Sequence, residues 1–169
     1  MQVAGDDPVV LANAAVALGY FGEDIGAMTA LVDRALALNP SYARGWHASG
    51  LLRLFAGQAD LAIEHVQNSL RLSPRARVGW GLNVIGAAHF LSRRFDEAVP
   101  KFLLSIQEDP NFPYPYQYLA ACYAHMGRLD DAREIVVRLR TITSVIIPDA
   151  SYLRGRKTIT ESEFSTSSV

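Results

Sequence analysis

Three prolines set the frame for this chain. Pro40, Pro74 and Pro110 each close an apolar stretch at helical spacing (ALALNP, NSLRLSP and LLSIQEDP) and stand 34 and then 36 residues apart. Self-similarity at such a period marks a repeat architecture, in which each unit buries its apolar face only by stacking on its neighbours. Upstream of each proline, and once more beyond Pro110, the sequence reads as two amphipathic stretches with apolar residues at i, i+3, i+4 and i+7. The pairs are Leu11 to Tyr20 with Met28 to Leu38, Trp46 to Phe55 with Leu61 to Leu72, Leu82 to Leu91 with Phe95 to Ile106, and Tyr116 to Met126 with Leu129 to Leu139. Gly57 and Gly127 separate the members of the second and fourth pairs. They suit a turn at positive φ, where a Cβ costs energy. Asn39-Pro40, Ser73-Pro74 and Asp109-Pro110 stop helices, because proline disfavours the helical conformation in the residue before it.

The pattern resembles the tetratricopeptide repeat. The second unit carries Trp46, Gly50, Gly57, Ala62, Leu70 and Pro74, and the fourth carries Tyr116, Leu119, Ala120, Tyr123, Gly127 and Ala132. The third keeps Gly86, Ala98, Phe102 and Pro110 with two extra residues before its first helix; the first, with Ala15, Gly22, Ala35 and Pro40, is the loosest. The resemblance implies an all-α fold, a right-handed superhelical array of antiparallel helix pairs with about four repeats. The units fall at 9–40, 41–74, 75–110 and 111–144. Residues 1–8 read as the remnant of a preceding repeat or as a frayed end, and 145–169 as a C-terminal extension. In the extension the apolar Val145-Ile146-Ile147 is expected to pack on the last repeat, and the Ser/Thr-rich remainder to be poorly ordered. Gly50, Gly86 and Ala120 are the small residues that let paired helices approach to ~8 Å. Ala120→Leu is accordingly expected to overpack by about 1–3 kcal/mol. Pro100 falls inside a helix, tolerable near its first turn and a kink if deeper.

Charge and composition exclude several function classes. Sixteen basic residues against 17 acidic ones leave no electrostatic footprint for nucleic acid or an anionic membrane. No apolar run reaches the ~18 residues of a membrane span. Cys122 is the only cysteine, so no intrachain disulfide forms; the compartment reads as cytoplasmic. His47, His65, His89 and His125 show none of the i, i+4 spacing of a helical zinc site, and Asp96, Glu97, Asp130, Asp131 and Glu134 open helices, where negative charge complements the dipole. No glycine-rich phosphate loop occurs. No catalytic residue, metal site or cofactor is expected, and the chain reads as a non-enzyme.

Binding is expected on the concave side. The family's inward-facing positions, carried over residue by residue, select Arg44, His47 and Leu51, then Trp80, Asn83, Ala87 and Phe90, then Tyr114, Gln117, Ala121 and His125, with Tyr118 beside them. Only Arg44 and Asn83 match the basic and amide residues of family members that clamp a carboxylate-ended peptide. The groove therefore points to an apolar helix or extended peptide held by aromatics and amides. Trp80 and Phe90 either face this groove or pack between helices. The leading reading is a non-catalytic scaffold for a protein or peptide partner. Self-association through the apolar first helix is an alternative. A further resemblance, carried by RALALNPSYARGWHASGLLRLFAGQADLAIEHVQNSLRLSPRARVGW and LAACYAHMGRLDDAR, is to the repeat region of bacterial class III adenylate cyclase-related proteins. It implies a regulatory or assembly segment of a multidomain adenylate cyclase-like or transcription-regulator protein, acting in cis, without cyclase activity of its own.

Overall fold

A computed structural model describes residues 7–20, 24–74 and 78–143. Eight α-helices make up these residues: α1 (Pro8–Tyr20), α2 (Ile25–Leu38), α3 (Ala43–Phe55), α4 (Ala59–Leu72), α5 (Val78–Leu91), α6 (Phe95–Glu108), α7 (Pro113–His125) and α8 (Leu129–Ile142). Most begin two to four residues before the first apolar residue that marks their stripe. The opening turn is short of large apolar residues at the stripe positions, although Gly45, Gly79 and Pro115 within such turns are buried. At α7 that turn is Pro113-Tyr114-Pro115, where Pro113 supplies a preset φ at a position needing no N–H. Pro8 opens α1, and Asp7 caps it through a 2.7 Å bond from Val9 N–H to Oδ1.

The turns inside the second, third and fourth helix pairs are one motif. Gln58, Arg94 and Arg128 N–H donate to the carbonyls of Arg53, His89 and Tyr123, while Gly57, Arg93 and Gly127 N–H donate to Leu54, Phe90 and Ala124. This double closure satisfies helix-end carbonyls and puts the intervening residue in the left-handed region. Gly57 and Gly127 take φ +74° and +76° as expected, but the third turn places Arg93 there at φ +59°. A side chain is disfavoured but sterically allowed in that well. The turns after the first and third pairs use an Asx-Pro device. Asn39 Oδ1 and Asp109 Oδ1 accept from Ser41 and Asn111 N–H, and the carbonyls of Asn39 and Asp109 accept from Tyr42 and Phe112 N–H.

Each helix packs on the next, and each odd-numbered helix also touches the following odd one (α1 with α3, α3 with α5, α5 with α7). The even-numbered helices have no comparable contact with one another among the described residues. The odd helices are therefore closer together and line the inner side of the curve. Aromatics tie the repeat registers down: Trp46 Nε1–H donates to Pro40 carbonyl at 2.8 Å and Tyr116 hydroxyl donates to Pro110 carbonyl at 3.0 Å. Pro100, sixth residue of α6, leaves the helix continuous to Glu108. It and Asp96, whose carbonyl loses its N–H, are exposed, so water can replace that bond.

The small residues do not all behave alike. A Cβ on Gly50 would lie 2.5 Å from Val66 Cγ2 and 3.1 Å from Ala62 carbonyl oxygen; one on Gly86 would lie 2.7–2.9 Å from the Phe102 ring. Ala120 is half-buried and, with Val136, lines an open depression against α8. The overpacking expected of Ala120→Leu therefore does not hold, because Val136 leaves room where Phe102 leaves none.

Candidate binding groove

Along the inner side, the sequence-selected residues separate into two groups. Trp80 (α5) is 43% exposed and Tyr114 (α7) 53%. Between them lies Phe112, buried at the N-cap of α7, stacked on Trp80 (centroids 4.5 Å, planes 21° apart) and edge-on to Tyr114 (5.5 Å, 60°). Trp80 thus does both things the sequence left open: one face packs and much of the ring stays in solvent. Gln117, one helical turn beyond Tyr114, is exposed, as is Arg44 on α3. His47 is half-buried, and so is Asn83, whose Oδ1 is buried with no hydrogen-bond partner among the described residues. Leu51 and Ala121 are half-buried and Ala87 is buried, so they pave the surface with small or apolar contacts.

The second group packs. Phe90 contacts Phe95, Tyr118 and His125 with ring centroids at 5.5–5.8 Å, and His125 stacks on Phe95 at 5.0 Å with planes 5° apart. His125 keeps an exposed edge, while Phe90 is half-buried. Tyr118 lies parallel to Phe102 (5.4 Å, 2°) and belongs to the hydrophobic core on both sides of it. One residue on from Gln117 means ~100° further round the helix, which turns Tyr118 from the groove towards α6. Truncating it would disturb the fold, so it is not a clean reporter of binding.

Phe112 escaped the sequence reading because it sits beside a proline turn, where solvated residues are the norm. The signal was present: Tyr42 occupies the same place two residues after Pro40 and, half-buried, also packs on the core.

Burial dominates the shifted titratable groups of α3 to α7. Burial lowers the affinity of His47 for a proton, assisted by Arg44; His65 is held down by burial and then Arg53, and His89 by burial and then Arg94, against the pull of Glu97 at 2.8 Å. His65 Nδ1 shares a 2.8 Å hydrogen bond with buried Ser49, and its ring meets Trp46 edge-on. Burial pushes the Cys122 thiol up to about 11, leaving almost no thiolate at neutral pH. Among the described residues no three His, Cys, Asp or Glu side chains converge on a metal-sized site, and no helix is long and apolar enough to cross a membrane. The histidines make acid a destabilising condition. Between their depressed folded values and the ordinary 6.5, the unfolded chain binds more protons than the folded one. Their stabilising contribution is present above 6.5 and lost as pH falls through and below it. The urea midpoint is expected to drop between pH 7.5 and pH 5.5, and to drop less in His65→Gln; equal midpoints at the two pH values would refute this.

Residues 89–143 match the tetratricopeptide repeat family model. The fold is a tetratricopeptide-repeat solenoid. Solved structures agree along most of the chain. MamA residues 41-end from Desulfovibrio magneticus RS-1 has a TM-score of 0.70 at 18% identity, covering 81% of this chain and 76% of that one. A crystal structure of MamA has a TM-score of 0.70 at 15% identity, covering 82% and 80%. YrrB, described as a TPR protein with an unusual peptide-binding site, has 0.63 at 19% identity, covering 82% and 70%. At these identities the likeness speaks for the solenoid alone. No curated protein matches the chain, and none of these comparisons supports the cyclase-related resemblance.

Proposed function

We propose that this solenoid is a non-catalytic scaffold that holds a peptide segment of a partner protein along its inner side, anchored at Trp80 and Tyr114. The observation that carries this is the aromatic set itself. Two large rings are about half exposed, yet fixed from below by buried Phe112. Rings already held in place lose little freedom on binding, which is the chief cost an interface must offset. Exposed Gln117 offers a donor and an acceptor to an extended backbone beside them. The rest of the proposed surface comprises Arg44, His47, Asn83, Phe90 and His125, with the last two supplying a wall more than an anchor. A reducing, cytoplasmic setting suits the lone buried Cys122.

Peptides selected from a random displayed library against the intact chain would supply the probe. Trp80→Ala is expected to weaken the selected peptides by about 30-fold or more, in the range of interface hot spots, and Gln117→Ala by a few-fold, with thermal unfolding of the Gln117 variant unchanged. Peptides that bind both variants as tightly as the parent would sink the groove assignment.

A second reading, self-association through α1, is favoured by Val9 and Val10, about half exposed on an uncharged helix. Light scattering across a concentration range tests it, and a strict monomer excludes it. A role in cis beside a cyclase-related domain is the finer proposal from sequence; adding the intact chain to such a domain should change its activity, and no change at saturation counts against it.

A further inference from the structure

The inner side carries a second line of exposed residues. Eleven residues along a helix amount to about 16 Å of rise and about 20° beyond three full turns. Phe55, Leu91 and His125 therefore stand on the same faces as Arg44, Trp80 and Tyr114, at the other end of α3, α5 and α7. All six are exposed, Phe55 at 69% and Leu91 at 55%. Phe55 is the most exposed large apolar side chain among the described residues. Between the two lines the surface sinks: Asn83 and Ala121 are half-buried and Ala87 is buried. The groove is thus a trough with two rims.

Charge on this layer is one-sided. Helices α1, α3, α5 and α7 contain no Asp or Glu. Arg44 and Arg53 are their only Arg or Lys residues, and Arg53 pairs with Asp33 at 2.6 Å. Arg44 makes no ion pair among the described residues. Asn83 adds a second demand, since its buried Oδ1 has no hydrogen-bond donor among the described residues. An α-helical ligand keeps its backbone N–H groups within its own ladder, whereas an extended one leaves them free to donate.

We propose, on the footing that the inner side is the binding groove, that it takes an extended, apolar and acidic segment of a partner protein. Its side chains alternate between the Trp80 and Tyr114 rim and a second rim of Phe55 and Leu91, and one Asp or Glu lies against Arg44. An extended chain supplies that alternation, because successive side chains point to opposite edges. The small side chains of Ala87 and Ala121 leave room for its backbone beside Asn83. The carboxylate brings the charge this layer lacks, and a guanidinium can take it through two parallel hydrogen bonds. A Lys or Arg in the segment would meet no opposite charge on any odd-numbered helix. Phe55 offers a large flat contact of the kind that anchors peptides.

Peptides selected from a random displayed library against the intact chain are the probe. They are expected to be enriched in Asp or Glu and depleted of Lys and Arg, and to gain no helix on binding by circular dichroism. Phe55→Ser should weaken them about tenfold and Leu91→Ser a few-fold, with Tm unchanged because both side chains lie mostly in solvent. Arg44→Glu should weaken the acidic peptides and bind their Lys-substituted counterparts more tightly than the parent chain does. Full-strength binding to Phe55→Ser and Leu91→Ser, with Trp80→Ala still weakening it, would overturn the second rim and leave the groove standing. Binding indifferent to Trp80→Ala as well would remove the groove itself. Selected peptides without acidic enrichment, or a gain of helix on binding, would overturn the acidic, extended partner.

Discussion

Phe102→Ala is expected to cost about 3–5 kcal/mol, the range for a fully buried phenylalanine. Phe102 has no exposed surface and sits where three helices meet. Its ring lies against the Gly86 backbone on α5, parallel to Tyr118 on α7, and it anchors α6 itself. Nothing nearby can collapse into the space, because Gly86 has no side chain to extend and Tyr118 is already held by Phe90. The loss should therefore lie in the upper half of the range and couple repeats three and four. Chemical denaturation with a two-state fit gives the number, and a loss below about 1.5 kcal/mol would mean that the site relaxes as the rigid contacts do not allow. Phe102→Leu should lose much less.

Gly50→Leu is expected to be the most damaging change towards larger volume, at about 3 kcal/mol, the upper end of the overpacking range. At Gly50 the obstacles are Val66 Cγ2 at 2.5 Å, Ala62 carbonyl oxygen at 3.1 Å and Val66 amide nitrogen at 3.3 Å. Two of these are backbone of α4, so rotating a side chain cannot relieve them and the helices must separate. The gain in helix propensity over glycine, ~1 kcal/mol or less, offsets part of this. Ala120→Leu is the matched control, since it enters the open depression beside Val136 and should change stability by under about 1 kcal/mol. Comparable losses at the two sites would show that the repeats pack alike there, contrary to the geometry.

The contrast between Gly50 and Ala120 also marks how far the sequence could be read. Periodicity, the prolines at 40, 74 and 110, and the glycines at 57 and 127 were enough to specify eight paired helices, their order and the stacked architecture. They work because helical spacing and turn chemistry are local, and repetition averages out ambiguity in any one unit. The third turn shows the limit of such signals: Arg93 adopts the same left-handed conformation as Gly57 and Gly127, and only the closure of the surrounding hydrogen bonds reveals it.

For the groove, the positions carried over from the family resemblance included Trp80, Tyr114 and Gln117, which are exposed. Which aromatic is held and which is free depended on neighbours far away in sequence. Tyr118 turned inward because Phe102 offered it a flat surface, and Trp80 stayed half in solvent because Phe112, hidden beside a proline turn, filled the space beneath it. The sequence by itself determined which residues share a face and where each helix stops. Only the tertiary structure decided how deep each face lies, because depth is set by the volumes of the side chains opposite, and those come from another helix.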